Sequence, residues 1–484
     1  MEKDCSHIKI QQSMVNNYLD KVKYLSQTYK FISLKKEYKF GDYKNAHVIN
    51  RPSFLLNDLL IKGRYTIKGT DKIFHKKEMV DILTSMDKET YLDNLTTIPD
   101  NTILQFELHP SNRDFLKIKN NFFDRFFKDF PLFLEKLRNS KSYIFINFGF
   151  EADSFLIDDY NKKNHYKNYY EMFEEIISNW NLPSNSMIIL SSNALGYKQE
   201  KIRYKSNPKV KCIFENVTEM DTFCKLKTSE NLEYSFDEHI SNLKKSSKYL
   251  LRINRTSNQY RDLMIYYLFS SENHTKSLIE HFEFSIDDNT LKSLLNECFN
   301  ISNNLNLNLG KYFKYDSSIL KTIKNNLPLI ASQSEKESNE LVTDSYGLEP
   351  IPHDVYKQSI FSWVSTSLLH AKNQVFINAS TFNPMLYYHP LLIHGNESHL
   401  DCLKNSNYKS FSFLFDEDYD THDDVLVRFV QNVNQIHKLL ELPKDIVIQK
   451  LIDNREVLEY NREKLFECSS IESILSSVYN LYNE

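Results

Sequence analysis

Tyr143-Ile144-Phe145-Ile146-Asn147-Phe148 is an apolar run of strand length lying behind a helical pattern. That pattern, residues 112–130, sets Phe115, Phe122, Phe123, Phe126, Phe127 and Phe130 at helical spacing. An aromatic stripe of this period predicts a core-facing helix rather than a surface for stacking bases or sugars. The same pairing recurs along the first half of the chain, with further strand-length runs at Thr102 to Leu108, Met187 to Ser191 and Val210 to Phe214. Near the start, Val15, Tyr18, Leu19, Val22 and Leu25 predict a helix over 14–25. Strand and helix alternate, and the predicted fold class is α/β, with a parallel sheet covered on both faces.

A polar stretch from Phe236 to Lys245 separates this series from a second one, with strands expected at Lys248 to Ile253, Ile279 to Phe284, Gln374 to Ile377, Pro390 to Ile393 and Ser410 to Leu414. The predicted domains are 1–245, 246–440 and a pair of terminal helices over 441–484 that pack back toward the first domain. The first of two late helical patterns runs through Val425, Phe429, Val433, Ile436 and Leu440 and ends at Leu442-Pro443; the second runs from Ile448 to Leu465. Ser332 to Gly347 lacks apolar period and reads as a surface loop or excursion. Two doubly wound halves are a layout of enzymes that hold one substrate in each half.

With 484 residues, two or three domains with sizeable cores are expected. The 60 Lys and Arg are outweighed by 64 Asp and Glu, a formal charge of −4. That balance supplies no global attraction to nucleic acid or an anionic membrane surface, and a nucleic-acid partner would need a local basic patch. Only 8 residues are glycine, far under the average of about 7 %, and no GxGxxG or phosphate-cradling P-loop can be assembled from them. The six cysteines form no C-x-x-C pair, signalling neither a zinc site nor a disulfide framework and fitting a reducing compartment. No histidine pair has metal-ligand spacing, so no metal site is predicted. No segment reaches the run of about 18 apolar residues that a membrane helix needs, and the expected location is cytoplasmic. The abundance of Lys, Asn, Ile, Tyr and Phe suggests an AT-rich coding genome, viral, phage or low-GC bacterial.

The chemistry-bearing residues begin at Leu250-Leu251-Arg252-Ile253-Asn254-Arg255, followed by Arg261. If Leu250 to Ile253 is a strand, Asn254 and Arg255 stand at its C-terminal end and Arg261 in the next helix, where ligands of open α/β sheets bind. Two guanidiniums with helix-end amides would clamp a diphosphate without any glycine. Pairing of these arginines with surface carboxylates is the alternative. Further on stand Ile377-Asn378-Ala379-Ser380-Thr381-Phe382-Asn383-Pro384, then His389-Pro390 leading to Gly395, then Asp416-Glu417-Asp418-Tyr419-Asp420 ahead of Arg428.

Taken together, these segments resemble a family of viral and bacterial proteins related to GT-B glycosyltransferases, over about residues 143–440. In that family a strand ends in Asn-Arg, a Thr-Glu-Lys-Thr-Phe-Lys-Pro segment leads into a His-Pro strand and a glycine, and Asp-Glu-Ser-Tyr-Asp precedes an Arg-bearing helix. The resemblance implies two Rossmann-like domains facing a cleft, with a nucleotide-sugar co-substrate, no other cofactor, and Asn254, Arg255, Arg261, Ser380, Thr381 and Asn383 on the donor side. Weaker matches at Ile146 to Glu151 and Leu190 to Asn193 go with it. The chain departs from the family at the donor loop: Ala379-Ser380-Thr381-Phe382-Asn383-Pro384 has neither the carboxylate nor the two lysines, and Val364-Ser365-Thr366-Ser367 lacks a second glutamate.

In an inverting GT-B mechanism a base deprotonates the acceptor hydroxyl, and Glu151, followed by His109, is the candidate for it. The acidic run Asp416 to Asp424 looks superficially like a metal-binding Asp-x-Asp, but at the entrance to a helix its aspartates are expected to cap free amides. The expected function is therefore transfer of a sugar from a nucleotide-sugar to an unidentified glycan, protein or modified-nucleobase acceptor. The alternative is a catalytically degenerate relative acting as a binding or structural component, for instance of a viral particle or a glycan-assembly complex.

Overall fold

The computed structural model describes residues 30–33, 102–107, 123–129, 131–139, 142–148, 169–191, 194, 209–214, 234–253, 257–331, 353–366, 369 and 375–467. The chain divides into two compact units, Met1–Leu232 with Glu467–Glu484, and Glu233–Phe466. Both are α/β, each around a parallel sheet, and the second sheet reverses its order in the Rossmann-like manner. Among the described residues no helix is long and apolar enough to cross a membrane.

In the first unit five strands lie in chain order, β1 (Lys30–Ser33), β2 (Thr102–Glu107), β3 (Tyr143–Phe148), β4 (Met187–Ser191) and β5 (Lys211–Phe214). The opening run is thus the central strand, with Ile144 paired to Met187 and Ile103 to Tyr143. All five residues of β4 are buried, as a strand covered on both faces requires. Helices α1 (Asp124–Asp129), α2 (Pro131–Asn139) and α3 (Tyr169–Asn179) belong to this unit. Phe123 packs edge-on against Phe173 at 5.6 Å, and Phe127 lies 5.3 Å from Trp180. At these two positions the aromatic stripe is core, not a stacking platform. The helix expected over 14–25 lies outside the described residues.

The second unit opens with α4 (Phe236–Lys245) and carries β6 (Leu250–Ile253), α5 (Gln259–Ser270), β7 (Ser277–Glu280), α6 (Asp288–Asn304), α7 (Ser317–Asn325), α8 (His353–Lys357) and β8 (Phe361–Ser365). It continues with α9 (Ala379–Leu386), β9 (Leu391–His394), α10 (His399–Asn405), α11 (Val425–Glu441), α12 (Lys444–Asp453) and α13 (Arg455–Glu467). Its sheet is ordered β7-β6-β8-β9, all parallel. Helix α5 is buried from Tyr260 through Leu268, the mark of an element enclosed on every side.

Three expectations are corrected here. The strand beside β6 is Phe361–Ser365, where none was expected, and of the strand expected at Gln374 to Ile377 the described Val375 to Ile377 holds one bridging residue, Phe376, ahead of α9. Serines at 362 and 365 interrupt the apolar run of β8, yet both are buried, and Ser362 Oγ meets His389 Nδ1 at 2.9 Å. Ser410 to Leu414 is a turn rather than a strand, because Leu414 and Phe415 donate back to the Phe411 carbonyl. The division also falls ahead of α4 rather than behind it. Phe236 to Lys245 is polar only on one side: Ser235 caps it, and Phe236, His239, Ile240 and Leu243 are buried. Helix α12 packs on α4, where the Lys444 ammonium donates to the carbonyls of Leu243 and Ser246.

A buried polar cluster ties the first and last helices of this unit to the start of β9. His389 Nε2 donates to the Tyr356 carbonyl at 2.6 Å, which leaves Nδ1 to accept from Ser362. The His239 ring stands 5.5 Å away and bonds the Tyr234 hydroxyl at 3.0 Å. Arg462 of α13 lies 4.7 Å over the Tyr388 ring and donates to its hydroxyl. Both imidazoles are fully enclosed, and burial pushes His389 down to about 4 and His239 well below its ordinary value.

Candidate ligand-binding edge of the second sheet

Ligands of open parallel sheets bind beyond the carboxyl ends of the strands, where successive connections depart in opposite directions. The five strands of the first sheet follow one another in order, so no such point arises among them. In the second sheet the chain goes from β6 to β7 on one side and then to β8 on the other. The gap between the ends of β6 and β8 is therefore where a ligand is to be sought.

Arg261 reaches this gap. Asn258 caps α5, its side-chain oxygen accepting from the amides of Tyr260 at 3.1 Å and Arg261 at 2.9 Å. From the first turn the Arg261 guanidinium extends to the end of β8 and donates through Nη2 to the Ser365 carbonyl at 3.4 Å. Behind it, within β6, Arg252 is fully enclosed. Burial holds the Arg252 guanidinium well below its ordinary value, with the like charge of Arg261 adding to the effect and Asp262 opposing it. Burial also brings Arg261 down to about 10, again against Asp262. Two enclosed cations at one strand end are costly unless anions meet them. Asp262 supplies negative charge beside both.

Asp262 is committed to structure. Its carboxylate accepts from Ser257 Oγ at 2.8 Å, from the amides of Ser285 at 2.8 Å and Ile286 at 2.9 Å, and meets His281 Nε2 at 2.9 Å. A serine, an aspartate and a histidine in contact suggest a hydrolytic triad, but here the carboxylate is in the middle and the serine hydroxyl points at it. Ser257 therefore has no imidazole to take its proton. The set fastens the segment after β7 onto α5.

The altered donor segment forms the start of α9. Thr381 is fully buried, its hydroxyl has no partner, and Phe382 and Met385 beside it are each 1 % exposed. Phe382 faces the Tyr408 ring at 5.7 Å. Ser380 and Asn383 are half-buried, and the Ser380 hydroxyl donates to Asn378 Oδ1. Of the other expected residues, Asn254, Arg255, Glu151 and His109 lie outside the described residues.

The acidic motif builds the end of β9. Tyr419 Oη accepts from the Ile393 amide at 3.1 Å, and Asp420 accepts from the amides of Leu400 at 2.8 Å and His399 at 3.2 Å, closing the start of α10. Asp424 caps α11 through the amides of Leu426 and Val427. Burial raises Asp420 to about 7 in spite of the two amides it accepts from. Arg428 of α11 donates to three carbonyls, those of Gly395 at 3.0 Å, Leu369 at 3.4 Å and His422, and so links the segments that follow β8 and β9. Among the described residues no three His, Cys, Asp or Glu side chains are grouped to hold a metal ion. Sequence reasoning passed over Arg252 and His399. The signal for Arg252 was present, since an arginine inside an apolar strand run must find an enclosed partner.

No family model matches the chain, and no curated protein matches it either. Among solved structures, the N-terminal domain of Candida albicans trehalose-6-phosphate phosphatase is similar at a TM-score of 0.36 and 10 % identity, over 89 % of this chain and 81 % of that one. A likeness that loose assigns neither an activity nor a substrate.

Proposed function

We propose that the Glu233–Phe466 unit binds the diphosphate of a nucleotide-sugar at the C-terminal edge of its sheet, and that the chain is a glycosyltransferase of GT-B-like kind. One observation carries this reading: Arg261 is anchored on the Ser365 carbonyl at the point where the sheet reverses its order. A phosphate oxygen there would take the fork of a guanidinium already fixed in place and repay its desolvation. The leaving diphosphate would be stabilised by arginine in place of the two missing lysines, an electrostatic role of several kcal/mol. Glu151 and His109 remain the candidates for the base that takes the acceptor's proton.

A second reading, a degenerate relative that binds without transferring, is favoured by the enclosure of Thr381. A threonine without exposed surface, in a helix where Phe382 and Met385 are also buried, does not line an open donor pocket. Thermal denaturation with pyrophosphate, nucleoside diphosphates and nucleotide-sugars tests both. A ligand at one hundred times its Kd adds about 2.7 kcal/mol of stability. Arg261→Lys keeps the charge but loses the fork, and should weaken diphosphate binding about ten-fold or more. A panel without any shift removes the transferase and leaves a structural component; a shift without sugar release from any nucleotide-sugar selects a relative that binds without transferring.

A further inference from the structure

Tyr388 stands where the backbone favours glycine. It follows the last turn of α9 in the left-handed region, at φ 61°, and the helix closes around it. Its own amide donates to the Met385 carbonyl at 3.3 Å, and that of His389 donates to the Pro384 carbonyl at 3.1 Å. Helices that end in this way take glycine at that place, because a Cβ is crowded there. A tyrosine persists in such a conformation only where its surroundings over-determine it. For Tyr388, which is buried, those surroundings come from both ends of the second unit, which the chain enters at Glu233 and leaves at Phe466. Its hydroxyl donates to the Tyr234 carbonyl at 3.1 Å and accepts from Arg462 of α13. Its ring meets Phe236 of α4 edge-on at 5.5 Å and carries the Arg462 guanidinium 4.7 Å from its centre. A second link between the same two segments, Arg455 to Asp237 at 2.9 Å, is exposed and weakened by water and salt.

We propose that Tyr388 is a clasp, which fastens the entering and the leaving segment of the Glu233–Phe466 unit to one point so that the two loosen together and neither opens alone. One hydroxyl serves both segments, as donor to the first and acceptor from the second, and being enclosed it has no water to replace either partner. Segments that share their buried contacts open as one cooperative unit. Tyr388 precedes β9 and so lies at the opposite end of the strands from Arg261 and Ser365, which makes the clasp independent of what the other edge binds.

The test is hydrogen exchange of the full chain in rising urea below its unfolding transition, on the wild type, Tyr388→Phe and Tyr388→Gly. In the wild type the amides of 236–245 and 455–466 should share one opening transition. Tyr388→Phe keeps the ring and removes the hydroxyl; both segments should exchange at least ten-fold faster, by factors that agree within two-fold, while the amides of α5 change less than two-fold. Tyr388→Gly relieves the backbone and should still release both segments, whereas a residue that only ended α9 would be improved by glycine and leave them protected. If the glycine variant does not fold, the phenylalanine variant decides. Separate transitions in the wild type, acceleration of one segment alone, an equal acceleration in α5, or unchanged protection in either folded variant overturns the clasp.

Discussion

At Asp262 one buried carboxylate holds a hydroxyl, a buried imidazole and two backbone amides. Asp262→Ala leaves His281 and the amides of Ser285 and Ile286 without an acceptor. The expected loss is about 3–5 kcal/mol, measured by urea denaturation. A loss under about 1 kcal/mol would show that the segment after β7 finds other partners. Gly395→Ala is the complementary case, since its methyl group would press on the His399 ring and on Ile393 Cγ2 at 3.3 Å. Crowding of this kind costs about 1–3 kcal/mol, and thermal melting should fall accordingly. Arg261 was legible at this scale because its chain position relative to β6 was. Its burial was not, since the carbonyl it bonds belongs to β8, 104 positions away.

Among the elements, most strands were legible as apolar runs, and the error at β8 has a definite cause. Ser362 and Ser365 are satisfied by a histidine side chain and by strand-end contacts, so they sit in the core where a sequence window counts them as polar. The error at Phe236 to Lys245 is the reverse: charged residues on the outer face of an amphipathic helix resembled a linker. Two fragments separate these interpretations. A chain of Glu233–Phe466 should remain compact and resist proteolysis, whereas one beginning at Ser246 lacks the buried Phe236, His239, Ile240 and Leu243. Loss of the apolar three, at about 1.5–3 kcal/mol each, removes an amount comparable to the whole stability of many domains. Equal protease resistance in the two fragments would refute the assignment of α4 to this unit.

Across the described residues, three enclosed histidines whose protonation burial opposes set the response to acid. His239, His389 and His399 all have their protonation held below the ordinary value by burial. Their contribution is complete above about pH 6.5 and is lost as the pH falls toward about 4 for His389 and about 3 for His399. Asp420 runs the other way, since a carboxyl raised to about 7 contributes fully below its ordinary range and loses that contribution as the pH climbs. With three groups against one, the melting temperature should decline from pH 7 to about pH 4.5, and His389→Gln should flatten the decline. A constant melting temperature over that interval would contradict the enclosure of these rings. The ordering of the second sheet also bears on how fast it assembles. β7 joins β6 after a short excursion, but β6 meets β8 only when positions as distant as Ser246 and Gln358, 112 apart in sequence, come together. Closing so long a loop exacts its entropy before the pairing rewards it. The β6–β7 half should therefore acquire amide protection early in refolding and the β8–β9 half late, so that Arg261 and the carbonyl it meets come from opposite ends of the folding timeline.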